Sequence, residues 1–252
     1  MFAPRKARPM FAKIAARLAM KRRGLRSPPL RERLYDAQAG DRLMSLQHSR
    51  FNTNWLKELG ISPSVIVELG SYDGGDALRF RQEFPQVRMV TVEADPVRIG
   101  LVRQHLEGAG IEVHNFAACD VDGPVDWFSA DINGSVEAQG SMYRHSEAYR
   151  ERFTHVNQSD TPIQVEGRRF DSFCAEAGLE HIDLLHMDIE GAELAVLRSM
   201  GPVRPTLIYL EWRENSFENH DGTDTTESLL RRLGYTLLAD LGDDRLYRHA
   251  PG

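Results

Sequence analysis

Residues 65–76 read Val65-Ile66-Val67-Glu68-Leu69-Gly70-Ser71-Tyr72-Asp73-Gly74-Gly75-Asp76. A short run that is almost continuously apolar offers no polar face to water, which marks a parallel strand covered by helices on both sides. The spacing E-x-G-x-x-x-G then places a strand-to-helix turn at its end. Gly70 lets the chain turn sharply, and Gly74 is expected to let backbone come close to a ligand. The free amides of a helix beginning near Gly75 favour an anionic group such as a carboxylate over the strand tip. A dinucleotide fingerprint carries a second glycine so that a pyrophosphate can approach. Tyr72 stands at that position here. The turn therefore suits a nucleoside with an amino-acid tail better than one with a pyrophosphate.

Similar apolar runs follow along the chain. They end at Glu93 (Met89–Val92), near Phe116 (Ile111–Val113), at Asp188 (Ile182–Met187) and at Glu211 (Leu207–Leu210). Helical signals alternate with them. Asp95-Pro96 reads as an N-cap with proline at the first helical position, followed by the apolar face Ile99, Val102 and Leu106 and a stop at Gly108. Asp224 with Glu227 reads as a capping box for a last helix closed by Gly234. Runs at 235–239 and 245–248 flank Gly242-Asp243-Asp244 and predict a terminal antiparallel hairpin. The alternation predicts an α/β fold with a doubly wound, mainly parallel sheet. Residues 121–173 interrupt it as an insertion, with extra strands expected at Pro124–Ala130 and Pro162–Val165.

The chain has 252 residues, room for one large domain with appendages. Eleven Lys/Arg stand against Glu32 within residues 1–34, which leaves 20 basic and 36 acidic side chains for residues 35–252. The acidic body argues against a nucleic-acid groove there. The basic arm is a separate object: Met10, Ile14 and Leu18 recur every fourth residue among basic side chains, the pattern of an amphipathic helix, read either as a frayed or partner-docked arm or as a helix at an anionic membrane surface. No stretch is long and apolar enough to span a membrane. Two cysteines, Cys119 and Cys174, exclude a disulfide scaffold and fit a reducing cytosol.

The strand tips carry the candidate chemistry. An acid ending the second strand, Glu93, can accept both hydroxyl hydrogens of a ribose. The small residues of Asn115-Phe116-Ala117-Ala118-Cys119-Asp120 fit a flat adenine slot. The fourth strand runs into Asp188-Ile189-Glu190-Gly191, beside the Gly70 turn across the switch point. Asp188 and Glu190 are the expected carboxylates for a substrate hydroxyl, with Glu211 at the fifth tip as a third. A divalent metal on these oxygens is a further expectation that their spacing alone does not specify. Loops after strands make acceptor pockets, which points to Ser141, Tyr143 and His145 in one segment and Trp212 and His220 in another.

On these residues the sequence resembles the FkbM family of S-adenosylmethionine-dependent methyltransferases. The carrying strings are VELGSYDG (67–74), VEADP (92–96), NFAACD (115–120), FDSF (170–173) and, most specifically, IDLLHMDIEGAEL (182–194). The resemblance covers roughly residues 60–250 and departs at His186, where such sequences commonly carry lysine. His186 itself reads as a partly exposed strand side chain. The resemblance implies a class I methyltransferase fold with a seven-stranded sheet, and S-adenosylmethionine as cofactor. The methionine tail would lie near Glu68, Gly70, Ser71, Tyr72, Asp73 and Gly74, the ribose on Glu93 and Ala94, the adenine near Ala117, and the acceptor at Asp188. It further implies O-methylation of a sugar, glycan or natural-product hydroxyl. Two alternatives stand beside it, a nicotinamide-dependent oxidoreductase and a non-catalytic module that keeps the cofactor fold. Tyr72 and the Asp188–Glu190 string count against the first.

Overall fold

The computed structural model describes residues 51–134, 136–211, 216–217 and 225–250. The basic arm, Trp212, His220 and Asp224 lie outside the described residues. The five expected runs form β1 (Val65–Leu69), β2 (Arg88–Glu93), β3 (Glu112–Asn115), β10 (Leu184–Met187) and β11 (Leu207–Glu211). The last two strands are β12 (Tyr235–Asp240) and β13 (Asp244–His249). One sheet holds all seven in the order β12-β13-β11-β10-β1-β2-β3. The four pairings from β3 to β11 are parallel, and β13 is antiparallel to both β11 and β12.

The apolar strands serve two cores because successive side chains point to opposite faces. Val67, Val90, Leu185 and Ile208 pack on one face with the helices Phe170–Glu176 and Glu193–Arg198. Ile66, Met89, Leu184 and Leu207 pack on the other with Trp55, Phe80 and Val102. Double-sided burial leaves the strand tips and the loops beyond them as the place for polar chemistry.

The insertion folds as two small sheets. β4 (Ala117–Cys119) and β5 (Gly123–Trp127) flank β9 (Ile163–Arg169). β6 (Ala130–Ile132) lies between β7 (Val136–Glu137) and β8 (Val156–Gln158). The helix Glu147–Arg152 buries Tyr149 beneath them, against Phe217.

Two cap expectations change. Asp95 caps as expected, its Oδ1 accepting from the amides of Val97 and Arg98, but the helix proper starts at Arg98. The last helix, Thr226–Arg232, is capped by Thr225 rather than Asp224, with the reciprocal bond from Ser228 rather than Glu227. The box is shifted by one residue, with the two hydroxyls accepting from the amides of Ser228 and Thr225. Among the described residues no helix is long and apolar enough to cross a membrane.

Candidate functional site

β1 and β10 end side by side at the switch point, and backbone bonds tie the tips together beyond the strands. Asp188 N donates to Leu69 O at 3.0 Å, and Gly70 N donates to Val92 O at 2.9 Å. Gly70 has φ +85°, and a Cβ on it would lie 1.9 Å from Asp188 O. The turn therefore admits only glycine, for conformation and for space. A cavity of about 450 Å³ lies over these tips, within the range of ligand sites.

Of the expected cofactor residues, Gly70, Tyr72, Glu93, Ala94, Ala117 and Asp188 line this cavity. Glu93 is buried, and its two oxygens are already oriented by backbone. Oε2 accepts from Tyr72 N at 2.7 Å and Oε1 from Asp95 N at 2.9 Å. Each oxygen keeps lone-pair capacity for a further donor. Burial pushes the Glu93 carboxyl up to about 7, against the pull of the two amides. Tyr72 sits at φ 57°, and the Arg98 guanidinium carbon lies 3.9 Å from its ring centroid. Arg98 Nε also donates to Tyr72 O at 3.2 Å, so the turn is clamped from the next helix.

Glu68, Ser71, Asp73 and Gly74 are not among the lining residues; they build the turn from beneath. Asp73 Oδ1 accepts from Gly75 N at 3.0 Å. Gly74 was expected to admit a ligand. Its open side instead receives Leu106, whose Cγ would lie 2.9 Å from a Cβ there.

Glu68 belongs to a polar row across the sheet, on the face that packs Phe80. Parallel register puts it opposite Thr91 on one side and His186 on the other, and His186 opposite Tyr209. Thr91 donates to Glu68 Oε2. His186 Nδ1 lies 3.7 Å from Glu68 Oε1, and its ring stacks on Tyr209 at 5.3 Å. His186 is thus buried, not partly exposed as its strand pattern indicated. Burial alone would push His186 down, but the carboxylates of Glu68, Asp76 and Asp188 outweigh it and raise its pKa. Burial also raises Glu68. Asp76, unrecognised in the sequence, completes the row by accepting from Arg79 at 2.5 Å.

Asp188, Glu190 and Glu211 all line the cavity. One carboxylate oxygen from each lies within 4.8 Å of the others. The helix after Asp188 starts only at Glu193, with Ala192 at its N-cap position and no side-chain cap bond, so Asp188 is not spent on capping. Glu190 holds φ 48°, a left-handed conformation that a residue with a side chain adopts only when its surroundings impose it. Three oxygen donors in this set fit a hard divalent cation such as Mg²⁺.

The acceptor side departs most from expectation. Ser141 is fully buried, Tyr143 partly buried and His145 1% exposed, and none of them is among the lining residues. His145 packs on Tyr149 at 4.1 Å, and burial pushes the Tyr143 hydroxyl up to about 12. Their neighbours Gln139, Gly140 and Met142 line the cavity instead, as do Asp243 and Asp244 of the hairpin. Trp127 also lines it, donating from Nε1 to Asp95 Oδ2 at 3.4 Å. Nothing in the sequence marked Trp127, because its contact with Asp95 comes from 32 positions away, whereas Gly140 and Met142 fall within the loop 140–145 that the sequence offers for the acceptor.

A doubly wound sheet ordered in this way, with the final strand inserted antiparallel beside the fifth, is the sheet of class I methyltransferases. The particular family follows from the sequence: the chain belongs to the methyltransferase FkbM domain family, which it matches over residues 68–237. It is 34% identical to the 2-O-methyltransferase NoeI of Sinorhizobium fredii over 137 residues, 53% of this chain and 56% of that protein. It is 22% identical to methyltransferase 1 of Beauveria bassiana over 148 residues, 54% of this chain and 58% of that one. The chain thus spans little more than half the length of these curated relatives. A solved O-methyltransferase from Bacillus cereus, in complex with SAH, is similar with a TM-score of 0.45 at 14% identity, over 95% of this chain and 98% of that one. Family membership removes the nicotinamide alternative.

Proposed function

We propose that the chain is an O-methyltransferase that carries the methyl group of S-adenosylmethionine to a hydroxyl of a sugar, glycan or glycosylated natural product. The observation that carries this reading is the meeting, in one cavity, of the amide-anchored Glu93 carboxylate with the Asp188, Glu190 and Glu211 carboxylates. The 2-O-methyltransferase name of one relative supports an oxygen acceptor. The free, buried cysteines Cys119 and Cys174 support a reducing cytosol.

When bound, S-adenosylmethionine supplies a methyl group already activated on a sulfonium. The chain's tasks are then alignment, exclusion of water and removal of a proton. Glu93 accepts the two ribose hydroxyl hydrogens. The side-chain-free bend at Gly70 receives the amino-acid tail, and the small Ala117 leaves a flat slot for the base. Asp188 and Glu190 orient the acceptor hydroxyl and take its proton as the new oxygen–carbon bond forms, with Glu211 assisting. A sugar hydroxyl is a weak acid, so a carboxylate placed to take its proton in the transition state speeds the transfer. No step needs the metal that these oxygens would also hold.

The test is labelled methyl transfer from S-adenosylmethionine to a panel of neutral glycans, cell-envelope glycans and sugar nucleotides. Label attached to a sugar oxygen is the expected result. Tight donor binding with no label on any hydroxyl would contradict the reading and leave a non-catalytic module of the same fold.

A further inference from the structure

Glu190 is held in its left-handed conformation from outside its own strand. Ser141, in the insertion, donates from Oγ to Glu190 O at 2.7 Å. The same Oγ accepts from Tyr143 N at 3.0 Å, which fixes the direction of its proton toward Glu190. Ser141 is itself pinned by a pair of backbone bonds with Phe128, at 2.8 and 3.0 Å. Its two predecessors are equally constrained. Gly140 lies against Trp127, with a Cβ position only 2.6 Å from the ring. Gln139, also left-handed at φ 62°, accepts at Oε1 from the Tyr149 hydroxyl at 2.5 Å, and its carbonyl lies 3.2 Å from His145 Nε2. On the other side of Glu190, Gly191 has φ +100° and no room for a Cβ beside Phe217.

Residues 139–141 thus form a fastened strap along the cavity wall. One end rests on the buried Tyr149–His145 pair, and the other is bonded to the backbone of an acid at the reacting centre. The middle packs on Trp127, which bonds Asp95 beside Glu93. An insertion built only to cover the sheet has no reason to bond a strained backbone carbonyl at a strand tip.

We infer that Ser141 is a positioning residue, clamping the backbone of Glu190 so that its carboxylate stays in line for the acceptor hydroxyl. The inference rests on the proposed role of Glu190. It explains why Ser141 sits behind the wall and not against substrate. It also gives the insertion a task in the reaction: the strap fixes the acceptor acid relative to the donor, and small misplacements at a reacting centre cost large factors in rate.

The experiment compares Ser141→Ala, Ser141→Thr, Glu190→Gln and the Ser141→Ala/Glu190→Gln double variant. For each, kcat is read with the best acceptor of the panel above, together with SAH affinity and melting temperature. The expected result is a Ser141→Ala protein that is folded and binds SAH within about twofold of the parent, with kcat lower by on the order of tenfold. Ser141→Thr, which keeps the hydroxyl, restores kcat. In the Glu190→Gln background, Ser141→Ala costs nothing further. Unchanged kcat in Ser141→Ala beside a lowered kcat in Glu190→Gln overturns the clamp alone. So does an equal loss in both backgrounds, or a loss of SAH affinity that matches the loss of kcat. Full kcat in Glu190→Gln overturns the parent reading of Glu190 as well.

Discussion

The Cα of Gly70 faces the carbonyl of Asp188 so closely that a Cβ at residue 70 would lie 1.9 Å from that oxygen. The first and fourth strand tips, which carry the two halves of the site, are therefore in backbone contact. Any side chain at Gly70 must push Asp188 away from the Gly70 turn. Gly70→Ala should destabilise the chain by about 3 kcal/mol or more, from a positive φ and a forced backbone shift together. Chemical denaturation and SAH titration check it. A loss of stability under about 1 kcal/mol, with cofactor affinity kept, would show that the two tips yield easily.

With the ribose on Glu93 as proposed, cofactor binding depends on pH. Burial raises its carboxyl to about 7, and only the ionised form can accept both ribose hydroxyls. Binding therefore releases a proton below that value. Affinity for SAH should strengthen as pH rises from 6 to 8, with about tenfold separating pH 6 from the plateau. Calorimetry in buffers of different ionisation enthalpy reads the proton directly. Affinity flat across this range would take the ribose off Glu93.

On the proposed reading the three acids at the acceptor end act on the transferred proton, not on the donor. Asp188→Asn and Glu190→Gln should each lower kcat by about 10²- to 10⁴-fold while SAH affinity changes little. Glu211→Gln should fall less. Steady-state kinetics beside SAH titration separates the two quantities, and unchanged kcat in all three variants would remove proton transfer from this cluster.

His186 stabilises the fold in a pH-dependent way. Its pKa is raised in the folded chain, so its contribution is fully present below about pH 6.5 and is lost as pH rises through the folded value. His186→Gln should cost about 3 kcal/mol near pH 6, because Glu68 and Asp76 then lose a buried cationic neighbour beside Arg79. The gap between parent and variant should narrow toward pH 9. Urea denaturation at several pH values measures it, and a gap that widens with pH would reverse the assignment.

The strands of the parallel sheet were legible because a strand covered on both faces must be apolar throughout, and Val65–Leu69 or Leu207–Leu210 has no other stable place. The acids at 93, 188, 190 and 211 were legible for the complementary reason: a charge ending such a run has to emerge at the tip. What stayed hidden depends on contacts between distant segments. His186 reads as an ordinary alternating position until register sets it opposite Glu68. Gly74 reads as a ligand approach until Leu106 is seen to fill the space. Ser141, Tyr143 and His145 carry groups suited to sugars, yet the insertion turns them inward and presents Gln139, Gly140 and Met142. No periodicity decides which way an irregular loop faces.

A crystal structure of the chain with SAH tests the central claim most directly. Both ribose hydroxyls should lie on the Glu93 carboxylate at about 2.7 Å, with the sulfur at the cavity end bounded by Asp188 and Glu190. SAH bound elsewhere, or ribose hydroxyls turned away from Glu93, would contradict it.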